Sequence, residues 1–125
     1  MKRTYTFNLD IRRCTPVRIK GIVNGDTGNE FVFTLTDNGE KISLAQNANL
    51  VAVFHRSDGE IKTFTTGISI SLTGVVTLTV SNTAFTAGKN TFEVRVMNGS
   101  NVDVTSQQVE FVVRSKTEEP NDTQT

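Results

Sequence analysis

His55 and Cys14 are the single histidine and the single cysteine of the chain, and any acid-base or nucleophilic chemistry would have to start from them. A catalytic thiol needs a base within hydrogen-bond reach, and His55 stands in a separate segment, at the end of an apolar run beside Arg56, with no sign that the two meet. No His/Cys/Asp/Glu spacing of a zinc or calcium site surrounds either residue, so His55 reads as a strand-end side chain and Cys14 as an unreactive thiol. Asn24, Asp26, Asp37 and Asn38 could offer oxygen ligands to a hard cation. They lack the ligand order and terminal Glu of a calcium loop, and they read as turn residues. No loop carboxylates pair as a hydrolase requires. The residues predict no enzyme, no metal and no cofactor.

The basic side chains are the other candidates. Lys2, Arg3, Arg12 and Arg13, with Arg18 and Lys20 behind them, make the N-terminal portion positive, whereas Glu118, Glu119 and Asp122 make the C-terminal stretch acidic. Lys2, Arg3, Arg12 and Arg13 flank the first strand and are the candidate docking residues for an acidic partner surface. The whole chain balances 13 basic against 13 acidic residues, so no long-range field draws in nucleic acid or an anionic membrane. No apolar run approaches the roughly 18 residues of a membrane helix, and no apolar stretch follows the basic start as in a signal peptide. Asn98-Gly99-Ser100 and Asn121-Asp122-Thr123 match the N-glycosylation pattern, which matters only in a secreted protein.

The elements that position these residues are strands. Tyr5, Phe7, Leu9 and Ile11 alternate with polar neighbours as a first strand, and Pro16 interrupts the chain after it. Val17 to Val23 can add a short strand. The turn-rich run from Asn24 to Asn29 leads to a strand carrying Phe31, Phe33 and Leu35 on one face, and Asp37-Asn38-Gly39 turns it back through Ile42 and Leu44. Leu50 to Phe54 predicts a central buried strand, paired through Ser57-Asp58-Gly59 with Glu60 to Phe64, beside which the other strands can be laid. Ile68 to Leu72 and Val76 to Val80 form a further pair with Ser/Thr outer faces. Asn82 to Lys89, with an inward Phe85, is a crossover loop or one helical turn. Phe92 to Met97 and Val109 to Val113 complete the set, with Asn98-Gly99 as the hairpin signal.

Turn signals every 8 to 12 residues or so, without helical periodicity, predict an all-β, immunoglobulin-like antiparallel β-sandwich over residues 1–114. A closed barrel of the same strands shares the alternation. Residues 115–125 hold nothing apolar to bury and read as a disordered polar tail.

The runs from Thr34 to Leu44 and Val51 to Gly59, the Phe85-Thr-Ala-Gly88 segment and Phe92 to Val96 resemble the N-terminal domain of phage baseplate upper proteins. In this chain Ser57 stands where that family usually has proline before Asp-Gly, and the long C-terminal host-binding part of the larger relatives is absent. The resemblance implies a non-enzymatic virion module that fastens one structural protein to another, present in repeated copies or as a homo-oligomer such as a trimer. It would be found in the virion and, before assembly, in the host cytoplasm. The alternatives are a capsid decoration or head-fibre anchoring protein and a carbohydrate-binding module. Sugar platforms use exposed Trp or Tyr, and this chain has no Trp and one inward-pointing Tyr5.

Overall fold

The computed structural model describes residues 2–116. Eleven strands form two sheets that face each other. β1 (Arg3–Asp10), β3 (Asn29–Asp37), β8 (Val76–Val80) and β7 (Ile68–Ile70) lie side by side in the first, with β4 (Glu40–Lys41) returning on β3. The second runs β2 (Val17–Val23), β11 (Val109–Arg114), β9 (Gly88–Asn98), β5 (Asn49–His55), β6 (Ile61–Phe64), with β10 (Asn101–Thr105) also on β9. Neither sheet closes on itself, so the chain is the expected all-β sandwich and not a barrel. The expected tail falls mainly on residues 117–125, outside those described.

Period-two alternation sends every second side chain inward from both sheets. Phe31 of the first sheet stacks on Phe92 of the second at 5.1 Å, and Phe54 stacks on Phe92 at 4.8 Å. Phe111 meets Phe31, Phe54, Phe85 and Phe92 edge-on, which joins the two layers in one aromatic core with Phe33, Leu78 and Val94. Such offset and edge contacts add about 0.5–1.5 kcal/mol each to the burial of the rings.

Four expectations are corrected. The sheets are mixed, because β1 pairs β3 in parallel and β2 pairs β11 in parallel. A parallel pair needs a crossover, and β2, lying in the opposite sheet, is the crossover between β1 and β3. Alternation fixes which face is buried and says nothing of strand direction. The hub of the second sheet is β9 rather than β5, since β9 alone is flanked by three strands. Leu72 is no strand residue: the Ser71 hydroxyl accepts the N–H of Thr73 and of Val75, turning the chain and leaving Leu72 87% exposed. The hairpin from Asn98-Gly99 returns as β10, not as the Val109 strand. Ser106 then breaks the line by bonding Val94 through both its backbone N–H and its hydroxyl, and β11 resumes along the same edge of β9.

The Asp37-Asn38-Gly39 turn forms as expected. Asn38 and Gly39 both have positive φ, 54° and 90°, the geometry of a two-residue hairpin turn whose twist matches its strands. In β2, Gly21 at φ 103° sits in the register shift against β11, with the Tyr5 hydroxyl 3.6 Å from where a Cβ would be. The stretch from Asn82 to Ala87 is the expected crossover between sheets, without a helix, and buries Phe85.

Candidate docking surface

The outer face of the first sheet is built from the residues that alternate with its core. Thr6, Val32, Thr77 and Ser69 fall in one cross-strand row over all four strands, flanked by Thr4, Glu30 and Thr79 on one side and by Asn8 and Thr34 on the other. The one carboxylate in these rows, Glu30, accepts from the Thr4 hydroxyl and lies 3.6 Å from the Lys2 ammonium. The result is a hydroxyl-rich face with almost no free charge.

The four candidate basic residues border this face but do not form one patch. Lys2 and Arg3 stand at the start of β1, Arg12 and Arg13 beyond its end, separated by the length of an eight-residue strand, roughly 25 Å. Each has a carboxylate of its own chain nearby. Lys2 pairs with Glu30, Arg3 lies 3.6 Å from Asp26, Arg12 makes a forked contact with Asp37, and Arg13 reaches Asp10 at 4.0 Å. The hydrogen bond and charge of Asp37 raise the proton affinity of Arg12.

Asp10 organises the Arg12 end. Burial opposes its ionisation, but its carboxylate accepts from the backbone N–H groups of Arg12 and Gly39 and from the Thr36 hydroxyl, each at 2.8 Å. These donors hold the carboxyl well below the usual range. The Asp10 backbone pairs with both the side chain and the N–H of Gln107, and the Gln107 amide donates to Thr15 O at 2.6 Å, which ties β1 to the second sheet.

The second sheet presents a different surface. Glu110 lies between Arg18 at 3.1 Å and Lys89 at 2.9 Å, and Arg95 bonds Glu93 at 2.8 Å. The Lys89 hydrogen bond, followed by the charges of Lys89 and Arg18, holds Glu110 below its ordinary pKa. His55 is exposed on β5 and Cys14 is exposed in the β1–β2 crossover. Asn24 and Asp26 lie in the β2–β3 turn, Asp37 and Asn38 at the β3–β4 turn, and among the described residues no three His, Cys, Asp or Glu side chains converge on a metal position. Two open grooves occur near the β7–β8 turn and the start of β5. One, of about 330 Å³, is lined by Gln46, Asn49, Leu50, Ile68, Ile70 and Met97, and the other, of about 400 Å³, by Lys41, Ser43, Leu44, Leu72 and Thr73. Neither lining holds a histidine, cysteine or carboxylate. Tyr5 packs edge-on against Phe31 at 5.8 Å, so it gives no flat sugar platform.

Sequence reasoning missed the buried polar residues that tie the loops. Asn90 accepts from the N–H of Ser57 and of Thr86 and donates to the carbonyls of Thr86 and Gly88. The Ser57 hydroxyl donates to Ala87 O at 2.6 Å. A proline at 57 could supply neither donor. A polar residue at an inward position of an alternating strand is the only sequence signal that marks Asn90.

No family model matches the chain, and no curated protein does. Among solved structures it is similar to the N-terminal domain of phage TP901-1 ORF48, with a TM-score of 0.65 at 11% sequence identity, over 89% of this chain and 98% of that one. At that identity the likeness shows a shared fold.

Proposed function

We propose that the chain is a non-enzymatic structural module of a phage virion, attaching one virion protein to another at a tail, baseplate or capsid surface. The observation that carries this reading is the fold likeness to a phage domain, which spans nearly the whole of both chains. The outer face of the first sheet is the docking surface, and the partner is another virion structural protein.

Size explains why the basic residues matter to it. Four strands of this length project on the order of 400–500 Å², below the roughly 800 Å² per partner of a stable interface. Contact therefore extends past both ends of β1, where Lys2 and Arg3 on one side and Arg12 and Arg13 on the other supply a charged rim around an uncharged centre. Their own carboxylates hold these side chains in place until acidic groups of the partner join them.

The test is quantitation of the protein in purified particles. Thr77→Lys, which puts a charge in the middle of the face, and Arg12→Glu with Arg13→Glu, which reverses one rim, are each expected to keep the fold and to lower recovery. Absence of the unchanged protein from particles defeats the virion reading. Full recovery of both variants defeats this face as the docking surface. Labelling of particles at the head or at the tail separates capsid decoration and head-fibre anchoring from a baseplate position.

A further inference from the structure

Three Asn-Gly pairs occur in the chain: Asn24-Gly25 and Asn38-Gly39 in turns between strands, and Asn98-Gly99 where the last residue of β9 enters its turn. Such pairs share one reaction. The backbone nitrogen of the glycine attacks the side-chain amide carbon of the asparagine, a new C–N bond closes a five-membered succinimide, and the amide nitrogen leaves as ammonia. Water then opens the ring at either carbonyl, giving aspartate or isoaspartate. No oxidant or cofactor is involved. The nucleophile must have a free N–H that can lose its proton, and the chain must be able to bring that nitrogen onto the side chain.

The three turns meet these demands unequally. The Gly39 N–H is committed to the Asp10 carboxylate at 2.8 Å, and a carboxylate beside the nitrogen also opposes the negative charge that attack requires. Asn38 is held in the left-handed region between paired strands, and Arg13 lies 3.8 Å from where a Gly39 Cβ would be. The Asn24 turn is tied less firmly. Asn24 N–H donates to Arg114 O at 2.9 Å, Asp26 N–H donates to Val23 O at 3.1 Å, and the Asp26 carboxylate lies 3.6 Å from Arg3. At the β9–β10 turn the tie is the ladder itself, whose last pair is Asn98 with Asn101. Gly25 and Gly99 are alike in that, among the described residues, neither N–H has a backbone partner and a Cβ on either would meet nothing within 4 Å, but Asn24 is half-buried whereas Asn98, Gly99 and Ser100 are all exposed.

We propose that Asn98 is the site of spontaneous succinimide formation in the folded protein, and that the Asp10 carboxylate shields Asn38 from the same reaction. The product changes this corner of the second sheet. It adds a negative charge next to Met97, which with Gly99 lines the 330 Å³ groove, and in the isoaspartyl form it lengthens the backbone at the last β9 residue, whose pairing with Asn101 closes the Gly99-Ser100 turn and sets the β9–β10 register.

The experiment is to age the purified full-length protein in mildly alkaline buffer and follow isoaspartate by peptide mapping, with a parallel sample in denaturant. Asn98 lies on the tryptic peptide 96–114, while Asn24 and Asn38 share 21–41 and are told apart by fragmentation. Asn98 is expected to convert first, Asn24 more slowly, and Asn38 roughly tenfold or more slower than Asn98, the factor set by giving up a charge-assisted hydrogen bond. In denaturant the three rates should converge. Comparable rates for Asn38 and Asn98 in the folded protein overturn the proposal. So does the same rate order in denaturant, since sequence and not the Asp10 contact would then be its source. Asp10→Asn, which removes the charge facing the Gly39 N–H, is expected to speed conversion of Asn38; an unchanged Asn38 rate in that variant, with the fold intact by circular dichroism, also counts against shielding by Asp10.

Discussion

The two sheets answer their polar demands in opposite ways. On the second, Glu110 is bracketed by Arg18 and Lys89, Glu93 is paired with Arg95, and the buried Asn90 uses both its carbonyl and its amide. On the first, the Thr4 and Thr36 hydroxyls bond Glu30 and Asp10, and the rest of the Thr/Ser face is left to solvent. The buried Asn29, between Arg3 and Val80 in the register, has no partner for either side-chain atom among the described residues. Charges paired in the middle of a face, as on the second sheet, lose hydration when it is covered, whereas the pairs bordering the first sheet stand at its rim. Uncharged hydroxyls are cheaper to desolvate and can donate or accept, so the first sheet is the side better suited to being covered.

The largest test addresses what both faces rest on. Phe54 is 1% exposed and stacks on Phe92, which stacks in turn on Phe31 of the opposite sheet. Phe54→Ala is expected to cost about 3–5 kcal/mol in denaturant unfolding and to disturb both faces together. A loss under about 1 kcal/mol would mean that the sheets are held independently and that contrasting their outer faces has no common base.

Next come the two buried asparagines, where the comparison predicts opposite signs. Asn90→Leu strands the N–H groups of Ser57 and Thr86 and the carbonyls of Thr86 and Gly88, and should cost about 2–4 kcal/mol. Asn29→Leu removes an amide that bonds nothing and should raise stability by about 1–2 kcal/mol. Equal losses in the two variants would erase the difference between the sheets at this level.

Asp10 joins the sheets, and its effect is read through pH. Its carboxyl is depressed in the folded state, so its contribution is fully present above the ordinary carboxylate range and is lost as pH falls from there toward the folded value. Stability should therefore decline with acid below about pH 4, and Asp10→Asn should be less stable at neutral pH with a flatter acid limb. An unchanged acid limb in that variant would assign the acid response to other carboxylates.

How much of this was written in the sequence depends on the range of each contact. The alternations of β1, β3 and β8 gave their buried faces, and Asn38-Gly39 gave its turn, because those signals are local. The Ser/Thr character of the outer face was visible for the same reason. That Lys2 and Arg3 stand a strand's length from Arg12 and Arg13 was also legible, since an extended run of alternating residues separates them. Strand direction was not, because the parallel partners of β1 and β2 are chosen by contacts far along the chain. The clasp from Asp10 to Gln107 spans 97 positions and leaves no local mark. Leu72 misled because its alternation continues past the point where the Ser71 hydroxyl turns the chain.

The smallest expected effect sharpens the comparison most. Glu110→Gln removes the carboxylate between Arg18 and Lys89 on the second sheet and keeps its size. Arg18 and Lys89 are each 67% exposed and can turn to water, so the loss of stability should be slight at low salt and vanish as salt screens the pairs. Because the Lys89 hydrogen bond depresses the Glu110 pKa, whatever the pairs contribute is present above the ordinary glutamate range, and the variant and the unchanged protein should converge as pH falls below it. If the second sheet is the solvent side, recovery of Glu110→Gln in particles should equal that of the unchanged protein, while Thr77→Lys on the first sheet is depleted. A deficit for Glu110→Gln as deep as that for Thr77→Lys would show that a paired face is covered too, and the contrast between the sheets would no longer point to one docking side.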